Sequence, residues 1–197
     1  MIALMAILTL VVSGCSGVKP LTSKAAGASQ SASAPSEPAS GDGCATNAGT
    51  GDQIQGMSEL LLSDALAKMP GTTKFAAYLK GNEALAKSLD KAGNYTIFVP
   101  VDAAFAKLLP EQLIAIDTNV TLRDSVLMYA VAAVPVAPSK IRDSQQLPTL
   151  NGSDSILTLT KSDTTLQLNG ASSALCRNIS TARTTIYLTD TVLYPTA

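Results

Sequence analysis

The side chains that perform chemistry in enzymes are sparse in this chain, and histidine is absent from all 197 residues. Without an imidazole whose pKa lies near neutrality, neither a Ser-His-Asp nor a Cys-His nucleophile can be assembled. A histidine-based zinc site is excluded on the same ground, and no two cysteines have C-x-x-C spacing. Two serine–lysine neighbours remain, Ser139-Lys140 and Lys161-Ser162, and solvated surface loops explain them better than catalysis does. The sequence therefore predicts no catalytic residue, no metal ligand and no bound cofactor.

The first cysteine closes an apolar run at the N-terminus. Residues 2–12 are almost entirely apolar, too few to span a bilayer, and typical of the apolar region of a secretory signal peptide. The sequence Val12-Ser13-Gly14-Cys15 resembles a bacterial lipobox, although no basic residue precedes Lys19 and signal peptides usually begin with positive charge. We predict that residues 1–14 are a lipoprotein signal peptide and that Cys15 is lipidated. An ordinary signal peptide followed by an incidental cysteine is the alternative.

Acylation of Cys15 leaves two of the 3 cysteines, Cys44 and Cys176. In an exported protein two remaining cysteines are expected to pair, because the compartment is oxidising. The sequence therefore predicts a Cys44–Cys176 disulfide, and two buried free thiols are the alternative.

Composition divides the rest of the chain into a polar segment and a folded part. From Lys19 to Gly56 the chain consists mainly of Ser, Ala, Gly, Pro and Thr, which cannot bury enough apolar surface to fold. We predict that residues 15–56 are a disordered, lipid-anchored tether and that residues 57–197 form a single domain. The net charge is -1 and no basic cluster occurs, so a nucleic-acid partner is not expected.

Helical patterns come first in the predicted domain and strand patterns follow. Apolar residues recur at helical spacing from a Ser58 cap to a stop at Pro70, and four shorter helical patterns cover residues 72–80, 82–92, 111–116 and 121–129. In the last of these, Thr121 and Asp124 have capping-box-like spacing. Leucines then alternate with polar residues between Leu157 and Leu168, and Asn169-Gly170 is a strong turn signal. This order predicts an α+β domain.

Two segments carry a resemblance to a known family. From Tyr95 to Leu108, a β-branched and aromatic strand ends at a proline and runs into a helix for which Asp102 is a good N-cap. From Ile186 to Pro195, a second apolar strand, as if buried on both faces, ends at another proline. At this order and separation the segments resemble the two signature motifs of the fasciclin domain, an extracellular adhesion and binding module. We interpret Asp190, in the second motif, as a residue that bonds backbone groups of the fold.

The resemblance implies a fasciclin-like wedge, an antiparallel β-sandwich decorated with several short helices. The cysteine-containing stretch from Leu175 to Tyr187, together with Cys44 and Gly56-Met57-Ser58, is similar to the secreted and lipid-anchored fasciclin-type surface antigens of mycobacteria and other actinobacteria. That similarity implies a surface protein rather than an enzyme.

One departure from the family pattern concerns the segment after the middle helix. The family usually has a Tyr-His pair there, but Tyr129 is followed by Ala130 and then by a small apolar run. If that run is exposed it marks an interface, with Tyr129, Val131, Val134 and Val136 as candidate contact residues. If it is a buried strand, the same residues belong to the core.

These observations predict a non-catalytic lipoprotein, held outside the cytoplasm on the bacterial cell membrane. Its expected partner is a component of the cell envelope, the matrix or a host surface, protein or glycan. The alternative function is an envelope carrier that holds a lipid or another apolar ligand in a cleft, and an uncommon hydrolase is a weaker third. A carrier requires a deep apolar pocket of several hundred cubic ångströms, whereas an adhesion module should have a filled core and a shallow apolar patch.

Overall fold

The structure, a computed structural model, describes residues 37–195 except for residues 92, 153, 163 and 164. The predicted signal peptide (1–14), Cys15 and the first part of the predicted tether (15–36) lie outside the described residues. Among the described helices, none combines the length with the apolar composition that crossing a bilayer requires.

Helices dominate the first half of the described chain, as the periodicity predicts. Eight α-helices lie within the described residues: α1 (Cys44–Asn47), α2 (Gly51–Gly56), α3 (Leu62–Lys68), α4 (Thr73–Gly81), α5 (Glu83–Lys91), α6 (Asp102–Phe105), α7 (Pro110–Thr118) and α8 (Val120–Tyr129). Two short 3₁₀ helices, Met57–Glu59 and Pro138–Lys140, complete the set.

Seven strands of the described chain form one sheet in the order β2-β1-β7-β6-β5-β4-β3. The strands are β1 (Tyr95–Pro100), β2 (Val131–Ala132), β3 (Gln145–Pro148), β4 (Ile156–Lys161), β5 (Leu166–Leu168), β6 (Ser172–Ser180) and β7 (Thr184–Thr189). The two edges of the sheet meet at a bridge between Ala132 and Thr149, where the Leu150 N–H donates to the Val131 carbonyl at 3.0 Å. The sheet is therefore curled into a nearly closed barrel.

The predicted α+β class and fasciclin-like fold are confirmed, with one correction to the sheet. β1 and β7 are parallel, in a register that pairs Ile97 with Ile186, whereas the other strand pairs are antiparallel. Parallel neighbours require a long crossover, and here the chain between residues 101 and 183 supplies it. The two signature segments, far apart in sequence, are thus neighbouring strands.

Two apolar cores lie on opposite faces of β1 and β7. Ile97 and Val99 of β1 pack with the helices, whereas Phe98 points into the curled sheet. Tyr187 of β7 points the same way as Phe98, and the centroids of the two rings lie 5.4 Å apart. The expectation that the last apolar strand is buried on both faces is confirmed.

The folded part begins earlier than the predicted domain boundary at residue 57. Ser40 and Arg177 of β6 exchange backbone hydrogen bonds of 3.0 and 2.8 Å, and the Gly43 N–H donates to the Leu175 carbonyl at 3.0 Å. Ala48 is fully buried. The expectation of a disordered tether is therefore wrong for residues 37–56, because backbone pairing with β6 compensates for their lack of large apolar side chains.

Two helix starts also differ from the prediction. The helix expected to begin at a Ser58 cap is a 3₁₀ turn at Met57–Glu59 followed by α3, which begins at Leu62. The start of α8 is capped by Asn119, whose Oδ1 accepts the Leu122 N–H at 3.1 Å, rather than by Thr121.

Candidate functional site

The predicted disulfide is present and ties the N-terminal segment to the sheet. Cys44 in α1 and Cys176 in β6 are joined, with their Cα atoms 4.8 Å apart across a sequence separation of 132 residues. Cys176 is fully buried, so the bond lies against the core rather than at the surface.

The predicted interface after α8 is largely buried, which corrects the expectation of an exposed binding segment. Tyr129, Val131 and Val136 have exposed fractions of only 3%, 1% and 3%. Val134 is half-buried and packs against the core inside the curled sheet. The segment is held in place because the Val136 N–H donates to Thr96 Oγ1 and the Val136 carbonyl accepts the Tyr187 hydroxyl, each at 2.8 Å. Tyr129, Val131 and Val136 therefore belong to the core, and Val134 is only partly accessible.

Tyr129 has a structural role that the sequence did not show. Its hydroxyl donates to the Ile156 carbonyl at 3.1 Å and accepts a hydrogen bond from Asn169 Nδ2 at 2.7 Å. Asn169 also accepts the Thr158 N–H through Oδ1 at 2.8 Å. The Asn-Gly signal predicts the turn at Asn169, but the residue also joins α8 to β4.

The two serine–lysine neighbours contribute no assembled nucleophile within the described residues. Ser139 donates its backbone N–H to Glu37 at 3.0 Å, and Ser139 and Lys140 are both exposed. The Lys161 N–H donates to Asp143 Oδ1 at 3.3 Å, and the Ser162 N–H donates to the Thr165 carbonyl at 2.9 Å. In the part of the chain that the structure describes, no three acidic or sulfur side chains gather as a metal-binding group.

Asp102 caps a helix, but not the helix that it begins. Its Oδ2 accepts the Thr73 N–H at 3.1 Å and the Thr73 hydroxyl at 2.6 Å, and its Oδ1 accepts the Lys74 N–H at 2.8 Å. Its side chain makes no capping bond to its own helix α6. The carboxylate therefore satisfies orphan N–H groups at the start of α4, about 29 residues earlier in the chain.

Asp190 bonds backbone groups, as the sequence predicts. Its Oδ1 accepts the Ser173 N–H at 2.7 Å, and its Oδ2 forms an ion pair with Lys107 at 3.1 Å. Partial burial opposes ionisation, but the hydrogen bonds from Ser173, Lys107 and Thr191 prevail and hold the pKa of the carboxyl below its ordinary value.

An aromatic and cationic cluster joins α4 to α7 and α8, and no sequence pattern predicted it. The Tyr78 ring packs edge-on against Phe105 at 5.6 Å, with Lys74 and Arg123 at 5.6 and 5.8 Å from its centroid. Burial, reinforced by the hydrogen bond that the hydroxyl donates to Asp117, raises the pKa of Tyr78. The cluster is a packing contact with paired charges.

Two surface features remain as candidate binding sites. The helical hairpin α7–α8, taken here with its N-cap Leu109, carries three exposed large apolar residues: Leu109, Ile114 and Val120 are 56%, 61% and 57% exposed. Helices α3, α4 and α5 surround a groove of about 580 Å³ with a mainly alkyl lining. The sequence signalled neither, because exposure of the hairpin and the gap between three helices depend on packing.

Comparisons with known proteins agree with the fold. The sequence model of the Fasciclin domain matches residues 70–195. Among solved structures, a FAS1 domain pair from the insect cell adhesion molecule Fasciclin I superposes with a TM-score of 0.54 at 17% identity. That match covers 70% of this chain and 52% of the insect chain, so this chain spans about half of it.

Relatives that align with most of this chain occur in mycobacteria. The chain is 35% identical over 165 residues to the immunogenic protein MPB70 of Mycobacterium bovis, covering 80% of this chain and 82% of that protein. It is 33% identical over an alignment of 213 positions to the cell surface glycolipoprotein MPB83 of Mycobacterium bovis, covering 99% of this chain and 94% of that protein. The family match and these relatives show that the chain belongs to the fasciclin domain family.

Proposed function

We propose that this chain is a non-catalytic surface lipoprotein that binds a component of the cell envelope, the matrix or a host cell, protein or glycan. Three comparisons support the proposal: the fasciclin domain, relatives whose names describe an immunogenic protein and a cell surface glycolipoprotein, and a fold shared with an insect cell adhesion molecule.

The exposed hairpin α7–α8 is the observation that carries the binding function. Leu109, Ile114 and Val120 are each more than half exposed, although most other large apolar residues of the described chain are buried in the two cores. Keeping large apolar side chains exposed lowers solubility, so three of them along two consecutive helices favour this part of the surface for recognition. The contact surface that we propose is therefore this hairpin, which replaces the segment from Tyr129 to Val136.

A binding experiment with matched variants tests this proposal. The full chain should bind immobilised envelope or matrix material, and a Leu109→Ser, Ile114→Ser, Val120→Ser variant should lose that binding with an almost unchanged melting temperature. A Leu61→Ser, Ile156→Ser variant is the control, because these two large apolar residues are also exposed but lie on other elements. Equal binding by all three proteins would contradict the hairpin as the contact surface.

The membrane anchor proposed at Cys15 has its own test. With two or more acyl chains on this cysteine the protein should partition stably into detergent, because one chain alone binds a membrane only marginally. The Cys15→Ser protein should move to the aqueous phase on detergent fractionation. If it stays with the detergent, the anchor lies elsewhere.

A second candidate function, an envelope carrier, is favoured by one observation. The groove between α3, α4 and α5 has the volume and the apolar lining that an apolar ligand needs.

A further inference from the structure

The groove between α3, α4 and α5 has a floor of alkyl side chains. Each of the three helices packs against the other two. Leu66 and Leu79 are buried at the floor, and the alkyl part of the lining is completed by four alanines, Ala67, Ala76, Ala77 and Ala86. Because alanine side chains are short, helices that contact one another still leave about 580 Å³ between their side chains. This volume lies within the range of small-molecule sites, roughly 300–1,000 Å³.

Charged residues at the rim make the two ends of the groove different. Glu83, Lys87 and Asp90 lie on one face of α5, at helical spacing. Glu83 and Lys87 form an ion pair of 2.7 Å, and Lys80, in the last turn of α4, makes no ion pair with any described residue. The end of the groove near Lys80 therefore carries net positive charge.

The opposite end carries a carboxylate that is incompletely paired. Ser63 donates its hydroxyl to Asp90 Oδ2 at 3.2 Å. Asp90 Oδ1 is buried and has no hydrogen-bond partner among the described residues. An anionic group is repelled at this end and attracted at the Lys80 end.

The length and lining of the groove limit what it can hold. Between Glu83 and Asp90, α5 rises about 10 Å, roughly two helical turns. A docked helix would make too short a contact for a stable protein interface, which buries about 800 Å² on each partner. An extended peptide would bring backbone N–H and C=O groups to an alkyl floor that cannot bond them. An alkyl chain brings no polar group and matches the floor.

From these features we infer that the groove binds one alkyl chain bearing an anionic head group, with the chain on the alanine and leucine floor and the head group at Lys80. This inference rests on the carrier candidate and is separate from adhesion through α7–α8. A fatty carboxylate and a single-chain alkyl phosphate both have this chemistry, one alkyl chain with an anionic head group.

A binding series on the full chain tests the inference with defined probes below their micelle-forming concentrations. Isothermal titration with saturated fatty carboxylates should show affinity rising up to about fourfold per added methylene. The rise should stop once the chain outgrows the ~10 Å groove. The alkyl phosphate of matched length should also bind, and the alkyl trimethylammonium should bind more weakly. Affinity that is independent of chain length would overturn the inference.

Groove variants localise the site. Ala77→Phe fills the groove from an exposed position of α4 and should reduce affinity at least tenfold, whereas Ala84→Phe, exposed on α5 but outside the lining, should leave it unchanged. Lys80→Gln should weaken the binding of a fatty carboxylate about threefold. It should leave the binding of a fatty alcohol of the same length, which has no charged head group, unaffected. Lys91→Gln is the control for this variant. If Ala77→Phe fails to fold, Ala67→Leu provides the same test from α3.

Binding of an alkyl chain in the groove and adhesion through α7–α8 can be tested separately. If Ala77→Phe binds the carboxylates as well as the unmodified chain does, the groove is not the site and the inference is wrong. The same variant should still bind envelope or matrix material, because the hairpin is intact. If Ala77→Phe loses both the binding of envelope or matrix material and the binding of carboxylates, the proposal of two separate sites is wrong.

Discussion

At the scale of single residues, polar side chains in this protein act on parts of the chain that are distant in sequence. Asp190 bonds Ser173 and Lys107 at the end of β7, and Tyr129 links α8 to Ile156 and Asn169. Each group is partly withdrawn from water, so losing a partner would leave a buried polar atom unsatisfied. These residues stabilise the junctions between elements.

The lowered pKa of Asp190 predicts a loss of stability in acid. Because the folded pKa lies below the ordinary value of 3.8, the ionised carboxylate stabilises the protein above that pH. This contribution is lost as the pH falls through the folded pKa. Asp190→Asn should lower the free energy of unfolding by about 1 kcal/mol at neutral pH, because the partly exposed carboxylate loses its pairing with Lys107.

Urea unfolding as a function of pH checks this prediction. The difference between Asp190→Asn and the unmodified chain should shrink as the pH falls below 3.8. Asp42→Asn, at an exposed position, is the control and should change little at any pH. A difference that stays constant into acid would show that the carboxylate charge does not contribute.

At the scale of elements, the first N–H groups of a helix are satisfied either by the residue just before it or by another element. Asn119 and Asn82 cap α8 and α5 from the adjacent position, which a sequence pattern can reveal. The start of α4 instead depends on Asp102 of α6. The first signature segment therefore orients a helix that precedes it, in addition to forming β1.

Removal of the Asp102 carboxylate should destabilise α4. We expect Asp102→Ala to lower the free energy of unfolding by about 1–2 kcal/mol, because two backbone N–H groups and the Thr73 hydroxyl lose their acceptor. Asp102→Asn should cost less, since an amide oxygen can still accept. Denaturant unfolding followed by circular dichroism measures both changes, with Glu111→Ala, exposed in the first turn of α7, as control. Equal losses for Asp102→Ala and Glu111→Ala would refute the cross-element cap.

At the scale of the whole molecule, three long-range connections close the domain. β1 pairs with β7 across the long crossover between them, the edge strands meet at Ala132 and Thr149, and the disulfide joins α1 to β6. Such contacts cost chain entropy before they contribute stability. A covalent bond across 132 residues removes part of that cost.

Loss of the disulfide should therefore be costly but not additive. Cys44→Ser and Cys176→Ser should each lower the free energy of unfolding by about 2–4 kcal/mol, and the double variant should cost little more than one. Urea unfolding measures the three values, and the unmodified chain unfolded under reducing conditions is the reference. Free thiols titrated in the unfolded, unreduced protein would contradict the bond.

The sequence alone determined the features that depend on local pattern. Apolar, β-branched residues defined β1 and β7, and helical spacing over residues 111–116 predicted α7. Asn169 and Gly170 form the predicted turn, with φ angles of 52° and 65°. Cysteine arithmetic identified the disulfide pair. The signals for strands, helix and turn lie within a few residues of the structure that they specify. The disulfide is predictable because only two cysteines remain once Cys15 is assigned to lipidation.

Only the tertiary structure decided what distant segments do to one another. It placed Val131 and Val136 in the core and ordered residues 37–56 against β6. It also left Ile114 exposed and opened a groove between three helices. The physical reason is that the burial and backbone pairing of a segment depend on the other segments of the chain that pack against it. The same apolar run or polar segment is compatible with either environment until the chain has folded around it.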